Sequence, residues 1–182
     1  MISKFKNQKG FTVLESIVAI FVLSLSISGV FSAVQQSLSQ TIVAKDEVKA
    51  FYLAQEAMEI IRNKRDANLL AIINTGSGHW LSGIAQNSSD PCYFGNTCTV
   101  DAYYYYIGKC WGEWESCPPL RQDTDSTFLY SYNASWPDSI FTRSIQIESI
   151  NEDEIAVKVR VSWTKGLLNK EFEVKAHLFN WI

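Results

Sequence analysis

The sequence predicts an α+β fold, in which a long amino-terminal α-helix, membrane-spanning in its first half, packs on a carboxy-terminal antiparallel β-sheet. Three features predict it: a 24-residue apolar stretch, a helical pattern that continues beyond it, and three alternating runs near the carboxy terminus. The chain has 182 residues, which is the length of one ordinary domain or of a domain with an anchor. The expected segments are a leader at 1–10, a membrane half of the helix at 11–34, an amphipathic half at 35–65, and an outer globular α+β domain at 66–182 with a cysteine-rich insertion at 92–117.

The composition excludes several classes of protein. The chain carries 16 Lys and Arg against 19 Asp and Glu, a net charge of −3, whereas a nucleic-acid-binding surface is basic. Hydrophobic residues make up 47% and aromatic residues 13%, more than a disordered chain contains. We therefore expect a folded protein that does not bind nucleic acid directly.

The apolar stretch at residues 11–34 has the length of a membrane-spanning helix, since about 20 apolar residues cross the hydrocarbon core. Lys4, Lys6 and Lys9 precede it with no acidic residue, and such an excess of positive charge stays on the cytoplasmic side. A secretory signal peptide has a shorter apolar region followed by a small-residue cleavage site, a pattern that this stretch does not show. The sequence therefore predicts a single-pass anchor in the cytoplasmic (inner) membrane with the carboxy-terminal domain outside.

Glu15 is the one charged residue within this stretch. A carboxylate inside a membrane helix costs roughly 2.5–3.5 kcal/mol on insertion scales, so such a residue usually has a function. The alternative is an interfacial glutamate that bends toward the lipid headgroups, because Glu15 lies near the start of the stretch. Residues 9–15, with the sequence KGFTVLE, resemble the processing motif of type IV pilins and pseudopilins. This resemblance favours a functional carboxylate.

The resemblance implies a processing step and an assembly step. In that family, prepilin peptidase cuts after the glycine, which is Gly10 here, and methylates the new terminal residue, here Phe11. The glutamate of an incoming subunit then pairs with the terminal amine of a neighbour in the filament, a role that the resemblance assigns to Glu15. An amine and a carboxylate attract strongly in a low dielectric, where each alone is poorly solvated. The implied partners are prepilin peptidase, other pilins or pseudopilins, the inner-membrane assembly platform and membrane lipid.

The helical pattern continues beyond the membrane segment to about residue 63. Apolar residues occupy one arc and charged residues the other, so this half of the helix needs a partner surface. Residues 62–66 are expected to end the helix in solvent, and residues 68–73 to form a short second helix before a glycine-rich turn. Gly29 is either a point where the helix bends or a small-residue helix contact. The apolar arc consists of Ile42, Val43, Ala50, Leu53, Ala54, Ala57, Ile60 and Ile61.

The carboxy-terminal part of the chain alternates between apolar and polar residues. Runs at 143–150, 155–163 and 172–178 have this period of two and are separated by short polar turns. Such a pattern predicts an antiparallel meander with one buried face, which the apolar arc of the helix would cover. The ending of the chain, a strand with Ser162 and Trp163, a turn, a second strand and then LFNW at 178–181, also resembles minor pilins of the pilus-modification or pseudopilin I type, which implies the pilin fold.

All four cysteines lie between Cys92 and Cys117, as C-x5-C followed by C-x6-C. Zinc sites favour closer spacing, so a metal is the less favoured interpretation. An even number of cysteines in an outward-facing domain favours disulfides. Three connectivities are open, and short loops favour Cys92–Cys98 with Cys110–Cys117.

The cysteine-rich insertion also carries an aromatic cluster. Four consecutive tyrosines occupy positions 103–106, and two tryptophans follow. One interpretation is a local core around the disulfides. The other is a contact surface for a partner pilin, a glycan or a host surface. The candidate residues of this surface are Tyr103, Tyr105, Trp111 and Trp114.

Enzyme chemistry has little support in the sequence. There are two histidines, and the sequence contains no nucleophile-elbow, P-loop or zinc-protease motif. We therefore expect a structural subunit with no catalytic site, cofactor or metal: a minor pilin or pseudopilin that assembles into a type IV pilus-like filament. The alternative is a single-pass membrane-anchored extracytoplasmic binding protein that does not polymerise, and an anchored enzyme is third. A type IV pilus, a type II secretion pseudopilus and a DNA-uptake pilus share the same processing signal.

Overall fold

A computed structural model describes residues 10, 12–110, 117–124, 128–166 and 168–181. The described elements are one helix and seven strands, and the chain divides into two compact units, Met1–Lys45 and Asp46–Ile182. The prediction of an α+β fold is confirmed. The elements are α1 (Val13–Thr75), β1 (Thr97–Asp101), β2 (Tyr106–Lys109), β3 (Pro119–Gln122), β4 (Tyr130–Ser131), β5 (Asp138–Asn151), β6 (Glu154–Lys165) and β7 (Leu168–Phe179).

The first unit contains the amino-terminal half of α1. None of its described side chains is buried, although most of them are apolar, and this part of α1 is long and apolar enough to cross a membrane. Three serine hydroxyls interrupt the apolar surface, and each donates a 2.8 Å hydrogen bond to the carbonyl four residues earlier. These bonds satisfy the hydroxyls within the helix, as a hydrocarbon environment requires. The serines are Ser24, Ser26 and Ser28.

The second unit begins within α1, whose buried face there matches most of the predicted apolar arc. Ala50, Leu53, Ala54, Ala57 and Ile61 are buried, whereas Ile60 is half-buried. The side-chain period of the helix therefore identified the face that contacts the sheet.

The predicted end of the helix was wrong. Residues 62–66 do not end α1, and residues 68–73 are not a separate second helix, because α1 continues to Thr75. Arg65 and Leu69 are both buried, so packing extends the helix beyond the charged cluster. The helix ends where Gly76 takes a positive φ of 70° and its amide donates to the Ile72 carbonyl at 2.8 Å, a helix-terminating turn that glycine favours.

The sheet is built around β5. One edge of β5 pairs antiparallel with β6, which in turn pairs with β7. The other edge pairs with β1 at Ile145 and with β3 near Thr142, and β2 and β4 extend these two branches. The three predicted carboxy-terminal strands are confirmed as β5, β6 and β7, whereas β1 to β4 were not predicted.

The hydrophobic core lies between α1 and the sheet. Ile61 and Leu69 from α1 are fully buried with Ile145, Val157 and Val159 from the sheet. Burying one such side chain contributes about 1.5–3 kcal/mol to folding. This core holds the sheet on the carboxy-terminal part of the helix.

Candidate functional site

The amino-terminal end of α1 is capped by Thr12. Its hydroxyl oxygen accepts a hydrogen bond from the Glu15 amide at 3.3 Å, and its carbonyl accepts one from the Ser16 amide at 3.2 Å. A threonine three residues before a glutamate is a typical helix start, because the threonine caps an unpaired amide and the carboxylate lies near the positive end of the helix dipole. The T-x-x-E part of the motif therefore begins the helix and places Glu15 in its first turn.

The Glu15 side chain is exposed. Its carboxylate makes no ion pair or hydrogen bond with any other residue that the structure describes. A carboxylate at the start of an apolar helix needs a counter-charge once the helix enters lipid. Phe11, whose amine the motif offers as that counter-charge, lies outside the described residues.

Gly10 lies just before the helix and is exposed. A methyl group built at its Cα would meet no atom within 4 Å, so this chain's own packing does not require glycine there. A requirement for glycine at this position would therefore come from a protein that binds the segment.

The four cysteines form two disulfides. Cys92 pairs with Cys98, with Cα atoms 5.1 Å apart, and Cys110 pairs with Cys117, with Cα atoms 4.9 Å apart. This is the short-loop pairing. All four cysteines are buried. One bridge is attached at the start of β1, through Cys98, and the other just after the end of β2, through Cys110.

The tyrosine cluster forms the exposed tip of the β1–β2 hairpin. Tyr103, Tyr104, Tyr105 and Tyr106 are between 51% and 83% exposed, so these rings do not form a core around the disulfides. Tyr105 has a positive φ of 51°, a conformation that non-glycine residues rarely adopt. Trp111 and Trp114, the other two aromatic residues of the candidate contact surface, lie outside the described residues.

Asp101 holds the hairpin tip in place. Its Oδ1 accepts hydrogen bonds from the Tyr103 and Tyr104 amides at 2.9 and 3.2 Å. Its Oδ2 accepts from the Ser131 hydroxyl at 2.7 Å and from the Tyr132 amide at 2.8 Å. This buried carboxylate therefore links the tip of the hairpin to β4. Sequence reasoning missed it, because its partners on β4, at Ser131 and Tyr132, lie about 30 residues away along the chain.

Arg143 is a second residue that sequence reasoning missed. It is fully buried, and it donates to the Leu53 carbonyl at 3.0 Å, the Val100 carbonyl at 2.5 Å and the Glu56 carboxylate at 2.5 Å. One guanidinium thus joins α1, β1 and β5. Arg65 makes a similar link, since its side chain donates to the Phe179 carbonyl at 2.8 Å.

Tyr132 extends this buried network. Its hydroxyl shares a 2.5 Å hydrogen bond with the Thr99 hydroxyl, which also donates to the Arg143 carbonyl. Burial raises the pKa of the Tyr132 hydroxyl above the ordinary tyrosine value, and the nearby Arg143 guanidinium opposes this effect only in part.

The described residues contain no cluster of three or more His, Cys, Asp or Glu side chains suited to a metal ion. The amino-terminal segment matches the model of the prokaryotic N-terminal methylation motif over residues 5–31. A comparison with curated proteins and with solved structures gave no match. The motif and the apolar helix that follows it support a type IV pilin-like, membrane-anchored protein, and they favour a structural subunit over an enzyme.

Proposed function

We propose that this chain is a minor pilin or pseudopilin, a membrane-inserted subunit that enters a type IV pilus-like filament. The observation that carries the proposal is the methylation motif over residues 5–31, which includes the start of α1, a helix whose apolar side chains are exposed there. In water such a surface is unfavourable, whereas lipid or the helices of other subunits would cover it. The second unit, Asp46–Ile182, then projects from the membrane or from the filament surface, and we call it the outer unit.

In this proposal, prepilin peptidase cuts the chain between Gly10 and Phe11 and methylates Phe11. Gly10 is exposed with open space around it, so an extended backbone can enter a protease cleft there. Cleavage removes Lys4, Lys6 and Lys9 and leaves the Phe11 amine and the Glu15 carboxylate as the charges of the membrane segment.

Glu15 is the assembly residue in this proposal. Within the described residues its carboxylate has no partner, and desolvation in lipid makes an unpaired carboxylate unfavourable. Pairing with the terminal amine of a neighbouring subunit would supply the counter-charge. The same pairing would set the axial position of one subunit against the next, because the two charged groups must meet at one depth.

The test is the amino terminus of the protein extracted from membranes of cells that contain a prepilin peptidase. Mass spectrometry of the amino-terminal peptide should show methylated Phe11, and cells without the peptidase should yield the intact leader. Sheared filaments should contain the processed form. An intact Met1 in both strains would instead support the single-pass anchored binding protein that does not polymerise.

A further inference from the structure

We propose that the cleft between α1 and the β1–β2 hairpin binds an acidic saccharide. The cleft has a volume of about 390 Å³, within the usual range for small-ligand sites. Tyr105, Tyr106 and Ile107 line it on the hairpin side. On the helix side it is lined by Ile60, Asn63 and Lys64.

The hairpin wall of the cleft is held in one arrangement. The Asp101 carboxylate accepts hydrogen bonds from the Tyr103 and Tyr104 amides, which fixes the backbone that leads into Tyr105. The Tyr106 ring lies across Gly108, so closely that a Cβ there would be 2.6 Å from the Tyr106 Cε1 atom. Only glycine leaves room for the ring in this position. A wall that is ordered before binding loses less entropy when a ligand arrives.

The helix wall positions a cation at the cleft. The Lys64 side chain runs over Gly83, where a Cβ would lie 3.4 Å from the Lys64 Cε atom. Within the described part of the chain, the Lys64 ammonium makes no ion pair, and the side-chain amide of Asn63 makes no hydrogen bond. By contrast, the neighbouring cations Arg62 and Arg65 are paired with Glu59 and Asp66.

These groups match the chemistry of a sugar acid. A pyranose ring has an apolar C–H face, which can stack on the exposed tyrosine rings, and a hydroxyl edge, which can bond to an amide such as Asn63. A carboxylate on the ring would pair with Lys64 through a charge-assisted hydrogen bond. A protein partner fits less well, because lysine is depleted in the cores of protein interfaces.

The experiment is a titration of the full chain in detergent micelles with digalacturonate, a disaccharide of two uronic acids, followed by saturation-transfer NMR of the sugar protons. We expect a dissociation constant on the order of 1 mM, as for a small and partly exposed site. The neutral disaccharide cellobiose should bind several times more weakly. Absence of saturation transfer to digalacturonate at about 10 mM would overturn the proposal, as would equal binding of the two sugars.

Two variant pairs test the assignment of residues. Lys64→Gln should weaken digalacturonate binding by about tenfold and leave cellobiose binding unchanged, whereas Lys109→Gln, an exposed lysine on β2 outside the cleft, should change neither. Tyr106→Ala should weaken both sugars, whereas Tyr104→Ala, on the same hairpin tip but outside the cleft lining, should weaken neither. Equal effects within either pair would show non-specific attraction to the surface and would overturn the proposal.

Discussion

The two units of this chain share one helix but satisfy its apolar side chains in different ways. Phe21 and Leu23, in the first unit, are both 60% exposed, whereas Ile61 and Leu69, in the second, are fully buried. The second unit buries its helix face against its own sheet. Among the described residues, no side chain of the first unit is buried, which is the pattern expected of a helix that lies in lipid.

The charged groups differ in the same way. In the second unit, Arg143 is paired with Glu56, and Asp46 is paired with Lys165. In the first unit, Glu15 has no partner among the described residues. The second unit therefore pairs these charges internally, whereas the counter-charge of Glu15 is not among the described residues.

The largest effect is expected from Gly10→Val, which changes the processing motif and leaves the second unit unaltered. The valine side chain has open space in this chain, so the variant should fold and insert normally. A peptidase cleft that fits glycine should exclude it, so the uncleaved precursor should accumulate in the membrane. The measurement is the intact mass of the membrane-extracted protein.

Gly29→Val is the matched control, because a side chain at Gly29 also meets no atom within 4 Å. This variant should be processed like the wild type. Normal cleavage of Gly10→Val would remove the peptidase assignment, because the variant leaves the rest of the motif intact.

The next largest effect is expected from Glu15→Ala, which should be cleaved and inserted normally but fail to enter filaments. Removing a carboxylate from the apolar segment makes insertion no harder. Glu15→Gln keeps a hydrogen-bonding side chain without the charge, and Glu15→Asp keeps the charge. Pairing with an amine predicts that Asp restores incorporation better than Gln. The measurement is the ratio of protein in sheared filaments to protein in the membrane pool.

Two outcomes separate charge pairing from packing. Better rescue by Gln than by Asp would favour a packing role, because Gln has the length of Glu. Wild-type incorporation of both the Ala and the Gln variants would contradict the charge-pair mechanism for an internal subunit. A subunit at the filament tip would have no earlier neighbour, so the filament position should be determined in parallel by immunolabelling.

The sequence predicted the parts of the structure that follow a regular pattern. The face of α1 around Leu53 and Ile61 and the strands β5 to β7 follow from side-chain period, because burial on one face imposes that period. Strands β1 to β4 could not be predicted in this way. They have five residues or fewer, and every residue of β1 is buried, so no alternation is visible.

The charged residues inside the outer unit could not be predicted for a different reason. Arg65 lies in a cluster of charges that is typical of a solvated helix end, yet its side chain reaches the Phe179 carbonyl, 114 residues away in sequence. The burial of Arg143 depends on Glu56, which is 87 residues away. Local sequence carries no signal for such pairs. For Gly10 and Glu15 the sequence motif predicted a role, which stays a prediction.

Within the outer unit, Arg143→Met should lower the free energy of unfolding by about 3 kcal/mol. The variant keeps an apolar side chain of similar length but leaves two buried carbonyls and the Glu56 carboxylate without their donor. All six tryptophans lie between residues 80 and 181, so tryptophan fluorescence during urea unfolding in detergent reports on this unit. Arg121→Met, which breaks the more exposed pair with Asp138, should cost less than about 1 kcal/mol. Equal losses would mean that the buried network does not fix the helix to the sheet.

A smaller effect is expected from removing one disulfide. The double variant Cys110→Ser, Cys117→Ser should lose about 2–3 kcal/mol of stability, because the bridge closes a short loop and restricts the unfolded chain. The same urea titration measures the loss, and processing at Gly10 should be unchanged because the first unit contains no cysteine. Four reactive thiols on alkylation of the native wild-type protein would contradict the pairing.

The smallest effect is expected from Tyr132→Phe and concerns the dependence of stability on pH. Burial raises the pKa of Tyr132 in the folded state above the unfolded value of about 10. The folded state then holds this proton more tightly, so the stability that the raised pKa contributes is fully present below about pH 10 and is lost as the pH rises through the folded pKa.

Tyr132→Phe should be about 1 kcal/mol less stable than the wild type at pH 8, because the variant cannot make the hydrogen bond to Thr99. Above pH 10, however, the stability of the variant should fall less steeply. Tyr130, whose pKa burial also raises, titrates in both proteins, so the difference between the two urea profiles isolates Tyr132. Parallel profiles from pH 8 to 11 would show that Tyr132 is not desolvated in the native outer unit.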